Sequence, residues 1–218
     1  MAYDLEEQEQ IANFKAFWNQ YGNLITWVLI LALGSYAGYN FWNSHKRTSA
    51  LVASGLYGEL QNSLEAKDNA KVQRVAADIE SKYEGTAYAQ MAALGAAKSA
   101  FDANDLKTAK AQLQWVLDHG NEEYQSIARL RLAGVQLDEK AYGDALKTLS
   151  GKILPQFNAE VQERKGDVLT AQNKLAEART AYTAALAAMD KRNPGRQVVT
   201  VKLESIGGTV PVEQKEAA

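Results

Sequence analysis

"YGDALKTL", residues 142–149, is the stretch that decides the fold. A large apolar residue, Ala145 three positions later and Leu149 four beyond that all fall on one face of a helix. The same pattern recurs without gaps in "LKTAKAQL" (106–113) and "LAEARTAY" (175–182). Its central residues Ala109, Ala145 and Ala178 are 36 and 33 positions apart. "VQRVAADI" (72–79) reads as a degenerate fourth copy centred on Val75. Twelve residues ahead of each centre lies a small residue: Ser63, Ala97, Ala133 and Gly166. Turn sequences, "KDNA", "DANDL", "DEKAYG" and "AQNKL", separate the two marks. Small residues facing each other let two helices pack closely while large ones fill the sides. A period of about 34 with this pattern is the helix–turn–helix of a tetratricopeptide-type repeat.

Working outward, helices are expected near 48–66, 70–82, 87–102, 105–118, 125–138, 142–150, 159–172 and 174–190. Ala97, Ala109, Ala133, Ala145, Gly166 and Ala178 are the expected close-packing positions. Asp118-His119-Gly120 should end a helix, with Gly120 left-handed. Pro155 should break the chain between the third and fourth hairpins. "RQVVTVKLESI" (196–206) has strand-like β-branched residues but no partner strand, so a short apolar helix sealing the last repeat is preferred. Residues 207–218 read as a disordered tail. Such a solenoid presents a concave groove for extended peptides or partner surfaces. From the first helix of each hairpin come the candidate groove residues Tyr57, Gln61, Gln90, Lys98, Arg129, Gln136, Gln162 and Lys165. No cluster of basic residues for clamping a carboxylate terminus is evident among them.

Upstream, no residue between Ala16 and Ser44 is charged. Leu24 to Trp42 is close to the roughly 20 residues a helix needs to cross a bilayer. Its large apolar side chains together favour insertion by roughly 3–4 kcal/mol. Trp18, Tyr21 and Trp27 towards one end, and Tyr39, Phe41 and Trp42 at the other, suit headgroup-level belts. A cleaved signal peptide would need a basic start and a small-x-small site. The start here is acidic, "YDLEEQEQ", and the apolar stretch ends in "NFWNSHKR", so an uncleaved anchor in the lipid bilayer is expected. Gly34 and Gly38 lie one turn apart and could let another membrane helix approach, although glycine is common in such helices generally. Ile11, Phe14, Trp18 and Tyr21 fit an amphipathic interfacial helix, and a flexible tail with an aromatic anchor fits equally. Lys15 precedes the span and Lys46 and Arg47 follow it, a mild lean towards an outside N-terminus that leaves orientation open.

Composition bounds the chemistry. The 218 residues carry no cysteine, which excludes disulfides and thiolate chemistry, and a net charge of −2. That balance gives no basis for nucleic-acid binding. The two histidines, His45 and His119, have no ligand-spaced companion. No phosphate-loop or dinucleotide motif occurs, so neither an enzyme, a metal nor a cofactor is expected.

"EEQEQIANFKAFWNQYG" before the span, "GYNFWNSH" at its exit and "LRLAGVQLDEKAYGDALKTL" in the middle repeats resemble the ancillary SecYEG translocon subunit family. The resemblance covers nearly the whole chain. It implies a single-pass inner-membrane protein with a cytoplasmic N-terminus and a periplasmic tetratricopeptide-like domain. It further implies association with the SecYEG translocon, the periplasmic chaperone PpiD and translocating polypeptides. The expected architecture is therefore all-α: a cytoplasmic segment (1–23), a transmembrane helix (24–42), a repeat domain of about four hairpins (43–206) and a tail (207–218). Two other functions fit the residues alone. One is a scaffold for another envelope complex, and the other is a regulator binding a signalling protein through the N-terminal segment.

Overall fold

The computed structural model describes residues 3–210, and among them every regular element is helical. The chain forms two compact units, Met1–Leu51 and Val52–Ala218. One helix, α1 (Tyr3–Glu65), continues through what the sequence divides into an interfacial segment, a span and the first repeat helix. No proline interrupts it, and its glycines cost helix stability without removing a backbone donor. At Gly22 the Thr26 hydroxyl donates back to the carbonyl at 2.7 Å.

In the first unit the large apolar side chains from Leu24 to Trp42 lie open apart from the half-buried Ile25, and α1 is long and apolar enough to cross a membrane. Phe14 stacks with Trp18 and Phe17 tilts against Tyr21. At the far end the Lys46 ammonium sits 3.7 Å over the Trp42 ring. This is a cation–π contact between neighbouring turns of α1.

The second unit is a run of hairpins. After the end of α1 come α2 (Asn69–Lys82), α3 (Ala87–Asp102), α4 (Leu106–His119), α5 (Glu122–Asp138), α6 (Tyr142–Leu149), α7 (Asn158–Ala171), α8 (Leu175–Ala188) and α9 (Gly195–Ser205). Each of these packs on its neighbour in sequence, and α3 also meets α5, as α5 meets α7. Pro155 opens a 3-10 turn over Pro155–Phe157 rather than a plain break. A further helix, not a strand, follows Pro194, and it buries Val199 and Leu203 against the last hairpin. The tail from residue 211 onward lies outside the described residues.

The hairpin turns fix the register of the repeats. Lys67, Asn104, Lys140 and Asn173 all have φ between 55° and 61°. The next residue in each turn donates its N–H five residues back: Asp68 to Ser63, Asp105 to Ala100, Ala141 to Gln136 and Lys174 to Leu169. Four copies of one left-handed helix stop are therefore in place. Counting from it, Ala97, Ala133 and Gly166 occupy one position and Ala109, Ala145 and Ala178 another. In the first hairpin those positions hold Leu60 and Val72, not Ser63 and Val75. The fourth copy is thus shifted by three residues from its sequence alignment. Apolar residues at both Val72 and Val75 made the two registers look alike.

The shift has a packing consequence. Leu60 and Val72 are both fully buried, so the first hairpin uses two larger side chains where the others use small ones. Ala97, Ala109, Ala133, Ala145, Gly166 and Ala178 are buried too. The large residue sixteen positions after the small one completes each unit: Leu113, Leu149 and Tyr182. Where that residue is tyrosine the small one is glycine. A Cβ on Gly166 would lie 2.4–2.8 Å from the Tyr182 ring, closer than atoms can come.

Gly120 corrects another expectation. It ends α4 at φ −75°, ψ 158°, which is extended rather than left-handed. Glycine is needed there for closeness, because a Cβ would meet the Val116 carbonyl at 2.5 Å. Asn121 then caps α5 by accepting from the N–H groups of Glu123 and Tyr124.

Candidate binding site

The first helices of three successive hairpins, α3, α5 and α7, line a cleft of about 430 Å³. α5 contributes Arg131, Gly134, Val135 and Asp138, spaced as one helix face requires. α3 contributes Ala97, Lys98, Phe101 and Asp102, α4 adds Leu113, and α7 adds Arg164. The floor is apolar and the rim charged. Lys98 and Asp102 form an ion pair one turn apart. Arg131 donates to the Leu94 carbonyl at 3.3 Å, and Arg164 faces Asp167 at 3.5 Å.

The expected groove residues do not converge here. Lys98 alone among them lines the cleft. Gln90 is buried, and its side-chain carbonyl accepts the Asn121 N–H at 3.1 Å, so it braces the α4–α5 turn. Gln136 accepts from the Thr148 hydroxyl at 2.9 Å, bridging α5 and α6. Arg129 packs its guanidinium where a Gly151 side chain would stand. Gln162 and Lys165 line a separate hollow beside Leu149–Pro155. Tyr57 is half-buried against the first core cluster, its ring 5.8 Å from Tyr88, and Gln61 is exposed. Arg131 and Arg164 were legible in principle. They lie 33 residues apart, the same interval as Ala145 to Ala178, each two positions before the small residue.

A second polar cluster seats α9. The Lys202 ammonium reaches Glu163 at 2.7 Å and Asp167 at 2.8 Å, and the Tyr182 hydroxyl donates to Asp167 at 2.9 Å. Burial alone would lower the lysine's pKa, but the two carboxylates outweigh it and raise it. Burial raises that of Tyr182. This clasp closes the last hairpin.

Among the described residues no group of three or more acidic or histidine side chains is placed to hold a metal ion. On α1, a Cβ added to Gly34 or Gly38 would meet nothing within 4 Å, so this face lies open in the first unit.

Open α1 and the stacked hairpins define the class: a tetratricopeptide-type helical repeat domain following an apolar helix of membrane-spanning length. The family model described as tetratricopeptide repeat-like domain matches residues 15–208. A protein of Neisseria gonorrhoeae named ancillary SecYEG translocon subunit is 34% identical over 212 residues, covering 94% of this chain and all of that protein. Proteins of the same name from Escherichia coli and Haemophilus influenzae are 33% and 32% identical, each over 82% of this chain and covering 86% and 91% of their own lengths. The chain belongs to this tetratricopeptide-repeat-like family, together with the ancillary SecYEG translocon subunits.

Proposed function

We propose that the protein is a non-catalytic accessory subunit of the SecYEG protein-export channel in the bacterial inner membrane. Full-length similarity to relatives named as ancillary subunits of that channel is the observation that carries this reading. Residues 24–42 form the membrane anchor, and the open Gly34–Gly38 face is suited to close packing against a channel helix. Residues 1–23 are cytoplasmic and the repeat domain, 43–206, is periplasmic. There the cleft receives the chaperone PpiD or translocating polypeptides, so that exported chains pass from channel to folding factors. The cation–π contact of Lys46 accommodates a positive residue at the periplasmic end of the span, because the ring offsets part of its charge at the interface.

A photo-crosslinking residue at Gly38 in intact cells tests the anchor. Adducts with channel subunits are expected, and adducts confined to division or outer-membrane assembly proteins would refute the reading. A reporter active only outside the cytoplasm, fused after Ala218, tests orientation separately and should be active.

A further inference from the structure

We infer that the cleft between α3, α5 and α7 takes an extended polypeptide segment in which an acidic side chain lies beside a large apolar one. This rests on the accessory-subunit reading and specifies the ligand chemistry of its cleft. Arg131 and Arg164 occupy the same repeat position on adjacent helices. The Arg164 guanidinium comes within 3.7–4.0 Å of where a Cβ on Gly134 would stand, one helical turn from Arg131. Both cations therefore converge on one turn of α5.

Neither guanidinium is spent. Arg131 makes a single hydrogen bond, to the Leu94 carbonyl, and has no carboxylate within ion-pair distance among the described residues. Arg164 faces only Asp167, at 3.5 Å, a carboxylate already taken at closer range by Lys202 and Tyr182. An arginine offers five N–H donors in a fork that matches a carboxylate, so most donors of the pair await an acceptor. The cleft's own acids do not supply it. Asp102 is paired with Lys98; Asp138 lies about 10 Å along α5 from Arg131 and about one turn beyond Gly134, and it forms no ion pair with Arg131 or Arg164 among the described residues. With Asp102 neutralised by Lys98, Asp138 is the acid left to repel the group that the arginines attract, which gives the ligand a direction. Between them Ala97, Val135 and Leu113 floor the cleft, and Phe101 is 38% exposed at its edge. At about 430 Å³ the space admits one or two side chains of an extended chain rather than a folded surface.

The full-length protein in zwitterionic phosphatidylcholine nanodiscs would be titrated against short labelled peptides with amidated C-termini in a Gly/Ser background. One carries a Phe–Glu pair, one Phe–Lys and one Ala–Glu. The Phe–Glu peptide should bind about tenfold more tightly than either twin. Arg131→Gln with Arg164→Gln should bring the Glu/Lys preference within about twofold of unity. Arg131→Glu with Arg164→Glu, at unchanged helicity by circular dichroism, should reverse it. Equal binding of the twins, a preference that survives the Gln pair, or no binding of the Phe–Glu peptide would overturn the inference. Channel adducts at Gly38 are read independently, so the accessory-subunit reading stands or falls on its own result.

Discussion

Gly166 and Tyr182 show how a single position sets a repeat's dimensions. Two hairpins pair alanine with leucine, and the last pairs glycine with tyrosine, exchanging volume from one helix to the other. Gly166→Ala should destabilise the fold by about 2–3 kcal/mol, seen as a lower denaturation midpoint. Combining it with Tyr182→Leu should relieve the clash, giving a favourable coupling of at least about 1 kcal/mol in a double-mutant cycle. Glu80 on α2 is a second telling residue. Its Oε1 is buried without a hydrogen-bond partner among the described residues, and burial raises the carboxyl from 4.5 to about 7, opposed by His119. Because the folded value exceeds the ordinary one, the folded chain holds the extra proton between them. Stability should therefore fall as pH rises from about 4.5 to 7 and then level, by about 1–2 kcal/mol because solvent screens part of the carboxyl. Glu80→Gln should remove that loss and melt higher than the parent at pH 8. A parent curve that rises across this window would contradict the assignment.

Among elements, the hairpin turn carries the order of the domain. Lys67 and Lys140 hold a left-handed conformation that glycine adopts without strain. Lys140→Gly should accordingly stabilise the protein by about 0.5–1 kcal/mol in chemical denaturation, whereas Lys140→Val should destabilise it. The repeat period and the helices were legible because the central alanines recur in gapless copies with turn residues between them. The register of the first hairpin was not, since Val72 and Val75 both satisfy an apolar pattern and only the turn's backbone tells them apart. The cleft was legible only in part. Burial of Gln90 depends on a contact between hairpins and the engagement of Gln136 on one between the two helices of its own hairpin, and periodicity along one helix specifies neither. Helix α9 depends on such contacts as well. Lys202→Met would leave Asp167 and Glu163 facing each other half-buried, and should cost about 2 kcal/mol and loosen α9 first, as read by hydrogen exchange.

At the scale of the whole molecule, one unit holds the open apolar helix and the other a repeat domain with a charged-rimmed cleft. A solenoid whose last hairpin is sealed by α9 still leaves the cleft lined by α3, α5 and α7 open. In the proposed accessory-subunit role, this cleft meets proteins arriving at the export channel. That role is tested most directly by a photo-crosslinking residue in place of Phe101, activated in intact cells during export, with adducts identified by mass spectrometry. Adducts with translocating polypeptides or the periplasmic chaperone are expected. Adducts solely with division or outer-membrane assembly proteins would contradict it.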